Sequence, residues 1–576
     1  MLATAPGDVE FKSVAQAKKL HNWTTPGGFR DAVVAEITRV TEYYGAAKLV
    51  SVRRLHEARR QYGKNKVIVQ HSSMPGKWKR NAAGEVTRAK ARWVIADLKC
   101  RFRLENTFAA TLAPATHRLL VQLGVMLPGA TFGTSDCAGA YFNGTPIPPE
   151  EEGGRALFTE VPAGWEEFGF AQFDERGDKQ YFEVVGNMPG RQDAGRVWAK
   201  AYSEKLEQWG FKASIVDTRL FYKADSEGKL MLVGVFVDDN FMISQSPGLT
   251  AEFQANWRES YDEAPDMAAT MLDFCGVGME QMADGSVTLH VDKAIDNLAE
   301  KLAGLGEEHQ SWARKLKADV PMVGSGLRDI AEEPSDENPL MPVALLETAR
   351  SIMGLGGWIV CTLRADAYFA YTALAKRLVT NFTSNVWRAV VRWATYIVET
   401  KAIRMTYRKP PAGAQFMFFS DSSALNGPDS TSYGGWCAMY EGSGAFDWAS
   451  ANAARVLDSS GSCELNVATG AVKSAMGARM LFGELGLDQA GPTDIYLDAR
   501  AALDGAGSEK VSKAMKFMAA RYAMLWQAAE AGQVSLQKID TTLNVADLFT
   551  KPLVGETFVR LRGRVMGEAN WKVHVL

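Results

Sequence analysis

Two carboxylates stand side by side at Asp238 and Asp239, inside an otherwise apolar stretch from Leu230 to Ile243. The apolar run breaks at these acids and resumes through Phe241, Met242 and Ile243, the pattern of a β-hairpin whose tight turn carries both carboxylates at its tip. Adjacent carboxylates repel, and a site that keeps both ionised commonly supplies a divalent cation. The bland alternative is a solvated Asp-Asn turn. Other acids close strand-like runs: Asp136 after Thr131-Phe132-Gly133-Thr134-Ser135, Asp421 after Phe416-Met417-Phe418-Phe419-Ser420, and Asp498 after Asp494-Ile495-Tyr496-Leu497. Glu464 opens a long amphipathic helix to Leu485, and Asp547 lies in Asn544-Val545-Ala546-Asp547-Leu548-Phe549-Thr550-Lys551-Pro552. Each of these, taken alone, reads equally well as a cap or a surface acid.

A chain of 576 residues is too long for one core, so three or more domains are expected. Its 47% hydrophobic and 23% charged residues suit a soluble globular protein. No apolar run approaches the ~20 residues that span a bilayer, and Met1-Leu2-Ala3-Thr4 opens no signal-peptide pattern. The 6 cysteines include no Cys-x-x-Cys pair, which disfavours a zinc knuckle or a disulfide framework and points to a reducing compartment. The net charge of −3 conceals a basic block between Lys48 and Arg103, with sixteen Lys or Arg against Glu57, Glu85 and Asp97. Tyr62, Trp78, Trp93 and Phe102 interleave it, a mixture suited to a polyanion such as nucleic acid, although a solvated basic face has the same composition.

The elements that must position the acids follow in order. Gly76 to Val94 reads as strand, Asn81-x-x-Gly84 turn and strand. A helix is expected over Thr116–Leu127, and another from Val197 to Trp209. Residues 290–410 are mostly helical by periodicity, with the acidic, Pro-containing stretch Glu332–Glu337 as a linker. Strands at Gly434–Tyr440 and Ala445–Ser450, a helix around Lys510–Glu530 and a strand at Gln533–Ile539 complete the C-terminal part.

Phe236-Val237-Asp238-Asp239 resembles the aromatic-x-Asp-Asp box of reverse transcriptases, and its neighbours fit in order. Asp136, Ala140, Tyr141, Asn143 and Gly144 match the Asp-x-x-x-Ala-aromatic-x-Asn-Gly segment of copia-type LTR-retrotransposon reverse transcriptases. Gly190 to Trp198 matches that family's Gly-x-x-x-Ala-x-Arg-x-Trp, with Gly195 where a Pro is usual. Lys90 and Arg92 match the Lys-x-Arg after its fingers hairpin, and Phe274-Cys275-Gly276 its Phe-x-Gly strand beside the primer terminus. The order Asp421, Glu464, Asp498, Asp547 resembles a ribonuclease H domain, and Asn544–Pro552 the family's C-terminal signature. Two departures stand out. Ser462 replaces the first of two Glu residues usual before the helix, and no His lies between Asp498 and Asp547, Phe517 standing near the expected place.

The resemblance implies an α+β multidomain fold: a right-hand polymerase with fingers, ferredoxin-like palm and helical thumb, followed by an α/β ribonuclease H-like domain. The divisions would be 1–45 without motif, 46–290 fingers and palm, 291–410 thumb and connection, and 411–576 ribonuclease H. It implies RNA-directed DNA polymerase and RNA–DNA hybrid ribonuclease activities. Asp136, Asp238 and Asp239 would hold one pair of Mg²⁺ ions, and Asp421, Glu464, Asp498 and Asp547 another, with Mn²⁺ a possible substitute. Lys90 and Arg92 would contact the triphosphate, and Tyr141 would exclude a ribose 2′-hydroxyl. The partners would be an RNA template, a DNA primer, the hybrid and dNTPs, with no membrane, in an intracellular particle or the nucleus. The alternative is a repurposed or decayed copy that binds nucleic acid without catalysis; against it, neutral decay has no reason to spare these seven carboxylates.

Overall fold

The computed structural model describes residues 10–80, 85–99, 104–261, 264–309, 318–423, 432–452, 460–498, 503, 516 and 518–568. Met1–Thr4, the Asn81–Gly84 turn, Cys100, Phe102, Arg103, residues 510–515 and Phe517 lie outside them. The chain forms two compact units, Met1–Thr111 with Cys137–Phe211, and Leu112–Asp136 with Lys212–Leu576. This partition differs from linear divisions at 45, 290 and 410. Pairing of the strand Thr131–Asp136 with Asp239–Ser244 draws an early segment into the second unit.

The first unit carries a four-stranded sheet in the order Ala47–Ser51, Gln180–Val184, Ala156–Glu160, Val67–Gln70. Beside it stands the hairpin Gly76–Arg80 with Val86–Ala91. Residues 10–45 had offered no motif, yet they build this core. Phe11, Val14, Phe29, Val33 and Ile37 are buried with Trp93, Trp165 and Phe182. A side chain at Gly76 would collide with the Phe11 ring, 2.1 Å from its would-be Cβ. The basic helix Val52–Tyr62 buries Leu55 and Ala58, while Arg53 and Arg60 are exposed.

In the second unit a five-stranded antiparallel sheet runs Lys212–Ala213, Leu220–Ala224, Leu230–Phe236, Asp239–Ser244, Thr131–Asp136. Leu230 to Val235 are all buried. Burial on both faces explains why this strand reads as a continuous apolar run instead of alternating. A four-stranded sheet, Met271–Phe274, Val277–Gln281, Val287–His290, Met405–Tyr407, follows with the helices Asp292–Ala303, Val343–Thr362, Tyr368–Thr380 and Ser384–Glu399. Val343–Thr362 is, by length and composition, apolar enough to cross a membrane, contrary to the sequence expectation. Its Ile352, Met353, Ile359 and Val360 are buried in the core of this unit.

The last sheet orders Ala445–Asn452, Tyr433–Met439, Met417–Ser423, Thr493–Leu497, Val534–Lys538. Its first three strands are antiparallel and its last two join in parallel. The long helix Ser460–Glu484 covers it. The helix Pro114–Met126 also packs on the strand Ala445–Asn452. Its buried Arg118 donates to the carbonyls of Phe446 (2.9 Å), Cys361 (3.1 Å) and Thr362 (2.7 Å), and its guanidinium lies 3.7 Å from the Trp448 ring centre. Gln122 on the same helix accepts from the Ser443 hydroxyl and donates to the Arg408 carbonyl. The architecture is mixed α and β throughout.

Candidate active sites

The first cluster of acids forms because two strands meet in register. Phe236 pairs with Asp239, leaving Val237-Asp238 as a two-residue turn, and Asp239 pairs in turn with Asp136 across the neighbouring strand. Val237 has φ +58°; it and Cys275 (φ +53°) are the non-glycine residues with positive φ among those described. Such a conformation costs a β-branched residue on the order of 1–3 kcal/mol. Both strained turns sit at this cluster. The segment Asp273–Val277, expected as a strand, is a hairpin whose turn is Cys275-Gly276. It brings the Cys275 thiol within 3.4 Å of Asp239 Oδ2, to which it donates.

Burial raises the pKa of Asp239 to about 6 against the pull of the Cys275 hydrogen bond, and Asp238, Asp136 and Asp273 push in the same direction as burial. This carboxylate is therefore held where its charge is costly, a deficit that a cation would cancel. Asp136 is exposed and Asp238 half-buried, so both can present oxygens to solvent-borne ions.

The second cluster gathers all four acids expected of it. Asp421, Asp498 and Asp547 each offer an oxygen such that all three lie within 4.8 Å of one another, the one such group of three donors among the described residues. Asp136, Asp238 and Asp239 share adjacent strands and a turn and do not form such a group. Asp421 sits within the strand Met417–Ser423 and not, as expected, at its end. Asn544 explains how Asp547 reaches it: the Asn544 side chain accepts from Ala546 N–H, starting the 3-10 helix Val545–Phe549, and donates to the Ser420 carbonyl at 3.1 Å. Gly435, paired with Asp421, leaves room for Phe549, whose Cβ lies 2.4 Å from where a Cβ would stand.

Glu464 Oε1 accepts from the backbone N–H and hydroxyl of Ser422 (3.2 and 2.9 Å), while its Oε2 is buried with no protein partner. Asp498 accepts from the Thr541 hydroxyl at 3.2 Å. Burial pushes Asp421 up to about 7 and Glu464 up to about 8, each helped by neighbouring carboxylates. Asp547 is raised for the same first reason. A buried, all-oxygen donor set with an orphaned carboxylate oxygen fits a hard divalent cation. Ser462, two residues before Glu464 on the same helix, is fully buried.

Lys90, Arg92 and Tyr141 belong to the first unit. Lys90 lies on the hairpin opposite Lys77, with Arg92 just beyond it. Sequence reasoning missed Glu36, a buried acid that accepts from Trp93 N–H at 3.1 Å and feels the charges of Arg39, Arg92 and Lys90. Burial nonetheless keeps its pKa raised. Tyr141 lies on the short helix Ala140–Asn143. That helix is fixed by stacking of Phe142 on Tyr44 (4.6 Å), and Gly139, at φ +72°, fits against the Tyr44 hydroxyl where a Cβ would lie 2.2 Å away. Also unforeseen was a buried network in which Asp97 accepts from Arg155 and from Gln192 N–H. It ties the Gly190–Trp198 segment to the root of the hairpin.

Residues 66–310 match the family described as "Reverse transcriptase (RNA-dependent DNA polymerase)". The chain thus carries a reverse transcriptase domain. Over 490 residues it is 21% identical to "Retrovirus-related Pol polyprotein from transposon TNT 1-94" of Nicotiana tabacum, the alignment covering 82% of this chain and 34% of that protein. The chain spans about a third of the length of that relative. Among solved structures, a foamy viral protease–reverse transcriptase in complex with RNA/DNA hybrid aligns at 12% identity and a TM-score of 0.42, over 84% of this chain and 52% of that one. The N-terminal RNase H domain of rv2228c from Mycobacterium tuberculosis aligns at 13% identity and a TM-score of 0.19, over 24% and 91%.

Proposed function

We propose that this chain copies RNA into DNA and cleaves the RNA strand of the resulting hybrid. The observation that carries the reading is Asp239 placed opposite Asp136, with Asp238 in the adjoining turn. In this reading the sheet that bears them is the palm, the first unit supplies the fingers, and the helices from Asp292 to Glu399 form the thumb and connection. The template is RNA, the primer DNA, and the substrates are dNTPs.

Asp136, Asp238 and Asp239 would hold the divalent cations of the polymerase, Mg²⁺ by donor type. Asp421, Glu464, Asp498 and Asp547 would hold those of the nuclease. When bound, such ions supply activation of the nucleophile and neutralisation of the charge that develops on phosphate. The protein's own contributions are positional. The hairpin turn fixes Asp238 and Asp239 against Asp136, Lys90 and Arg92 offer cations to the triphosphate, and Tyr141 sets the room beneath the sugar. The primer 3′-hydroxyl then attacks the α-phosphate and pyrophosphate leaves. In the nuclease, Ser422 aims Glu464 and Asn544 anchors Asp547, while water attacks the RNA phosphodiester.

Primer extension on an RNA template with Mg²⁺ tests the polymerase, and cleavage of a labelled RNA–DNA hybrid tests the nuclease. Asp238→Asn should abolish the first and Glu464→Gln the second, each leaving the other intact. Wild-type chain indistinguishable from both variants would favour a nucleic-acid-binding relic.

A further inference from the structure

The segment Asn544–Pro552 contains a cation to which no chemistry has yet been attached. Lys551 follows the helix that carries Asp547 and returns its ammonium nitrogen to within 2.6 Å of Asp547 Oδ1. The same nitrogen lies 3.3 Å from Asp421 Oδ2 and 3.4 Å from its Oδ1. These are two of the three carboxylates whose oxygens lie within 4.8 Å of one another. The Lys551 side chain is 31% exposed, whereas those of Asp421 and Asp547 are 2% and 9% exposed. A positive charge is therefore built into the cluster, with a route to solvent for its own head group. Thr550, the residue before it, donates its hydroxyl to Asp421 as well.

Two buried carboxylates this close cannot both stay ionised without a counter-charge. Lys551 supplies one. A divalent cation bridging Asp421 and Asp547 would need the same oxygen lone pairs, and its two charges would repel an ammonium left beside it. Glu464 Oε2, buried and unpartnered, shows that the cluster retains coordination capacity that Lys551 does not use.

We propose that Lys551 is a resident counter-cation of the nuclease cluster, holding Asp421 and Asp547 together without metal and competing with a divalent cation for their oxygens. The proposal rests on reading the cluster as a metal site. Lys551 swings outward when metal enters. The cluster stays folded when empty, and metal uptake there is weaker than its carboxylates alone would otherwise give. Nuclease function thereby acquires a threshold in free divalent cation.

The experiment uses the full chain carrying Asp239→Asn, so that Mn²⁺ binding at the palm is removed. Mn²⁺ is titrated and its free concentration followed by electron paramagnetic resonance, with thermal melts in parallel. Lys551→Met should bind Mn²⁺ roughly tenfold more tightly, the equivalent of one modest ion pair. It should also melt lower than its parent without metal and gain more from Mn²⁺. Lys551→Arg should bind no more tightly than the parent, and Lys551→Gln is read as the Met variant is, should the latter not fold. Equal or weaker Mn²⁺ binding by the Met and Gln variants overturns the proposal. An added Asp547→Asn distinguishes the failures: if it leaves the parent's Mn²⁺ binding unchanged, the metal-site reading itself has failed.

Discussion

Asp136 and Asp239 face one another across adjacent antiparallel strands, in a register that continues through Ser135–Asn240 to Thr131–Ser244. A slip of one residue would turn one of the two carboxylates to the opposite face of the sheet. The buried Asn240 side chain, which donates to the Ser135 hydroxyl at 3.2 Å, pins that register next to the acids.

Asp239→Asn separates catalysis from stability. Burial and its acidic neighbours penalise the ionised side chain, so the neutral variant should melt higher than wild type at pH 8 without metal. Primer extension should fall by at least about a hundredfold, because a charge that would hold the cation is gone. Melting curves and extension rates on the same preparations check both signs.

The metal-free chain should lose stability as pH rises. Asp239, Asp421 and Glu464 have pKa values near 6, 7 and 8 in the fold, above the ordinary carboxylate range. The native state therefore holds protons that the unfolded chain has released. Their contribution is complete below about pH 4 and disappears as pH climbs through each folded value. Melting temperature without metal should fall between pH 6 and pH 8, and Mg²⁺ should restore more of it at pH 8 than at pH 6.

Cys275→Val should move the polymerase pH profile to higher pH. The thiol donates to Asp239 and opposes the effect of burial on that carboxylate; without it the acid ionises later. Extension rate against pH, measured with saturating primer, gives the midpoint. An unmoved midpoint would mean that Asp239 does not limit metal binding.

Tyr141→Val should admit ribonucleotides more readily while deoxyribonucleotide incorporation persists. The ratio of extension with each nucleotide class checks this; an unchanged ratio removes Tyr141 from the role.

Arg118→Ala should cost about 2–4 kcal/mol in urea unfolding, since it strands the buried carbonyls of Phe446, Cys361 and Thr362. Arg118→Lys should recover only part, because an ammonium cannot match the planar fork over Trp448.

Local patterns made much of this legible. The apolar run through Phe236 with its paired acids announced a hairpin, and the alternation of strands and helices after Gln415 announced the last sheet. What escaped depends on distant approaches. Phe11 gave no local sign that it packs on Gly76, nor Glu36 that it underlies Trp93. Cys275 was expected in a strand because Phe274-Cys275-Gly276 resembles the family's Phe-x-Gly strand, yet its positive φ makes it a turn. Lys551 stood in plain view, but its meaning comes from Asp421, 130 positions away, and no spacing rule spans that distance.

Arg118 has a further consequence. It clamps the helix Pro114–Met126 onto the strand Ala445–Asn452, within one compact unit. If the two clusters work as proposed, centres joined this way would behave as a fixed gauge laid along the hybrid. The length of duplex between the growing end and the scissile bond would be set by the protein and not by sequence or speed. Loosening the clamp would then blur the spacing of the RNA fragments long before it stopped either reaction.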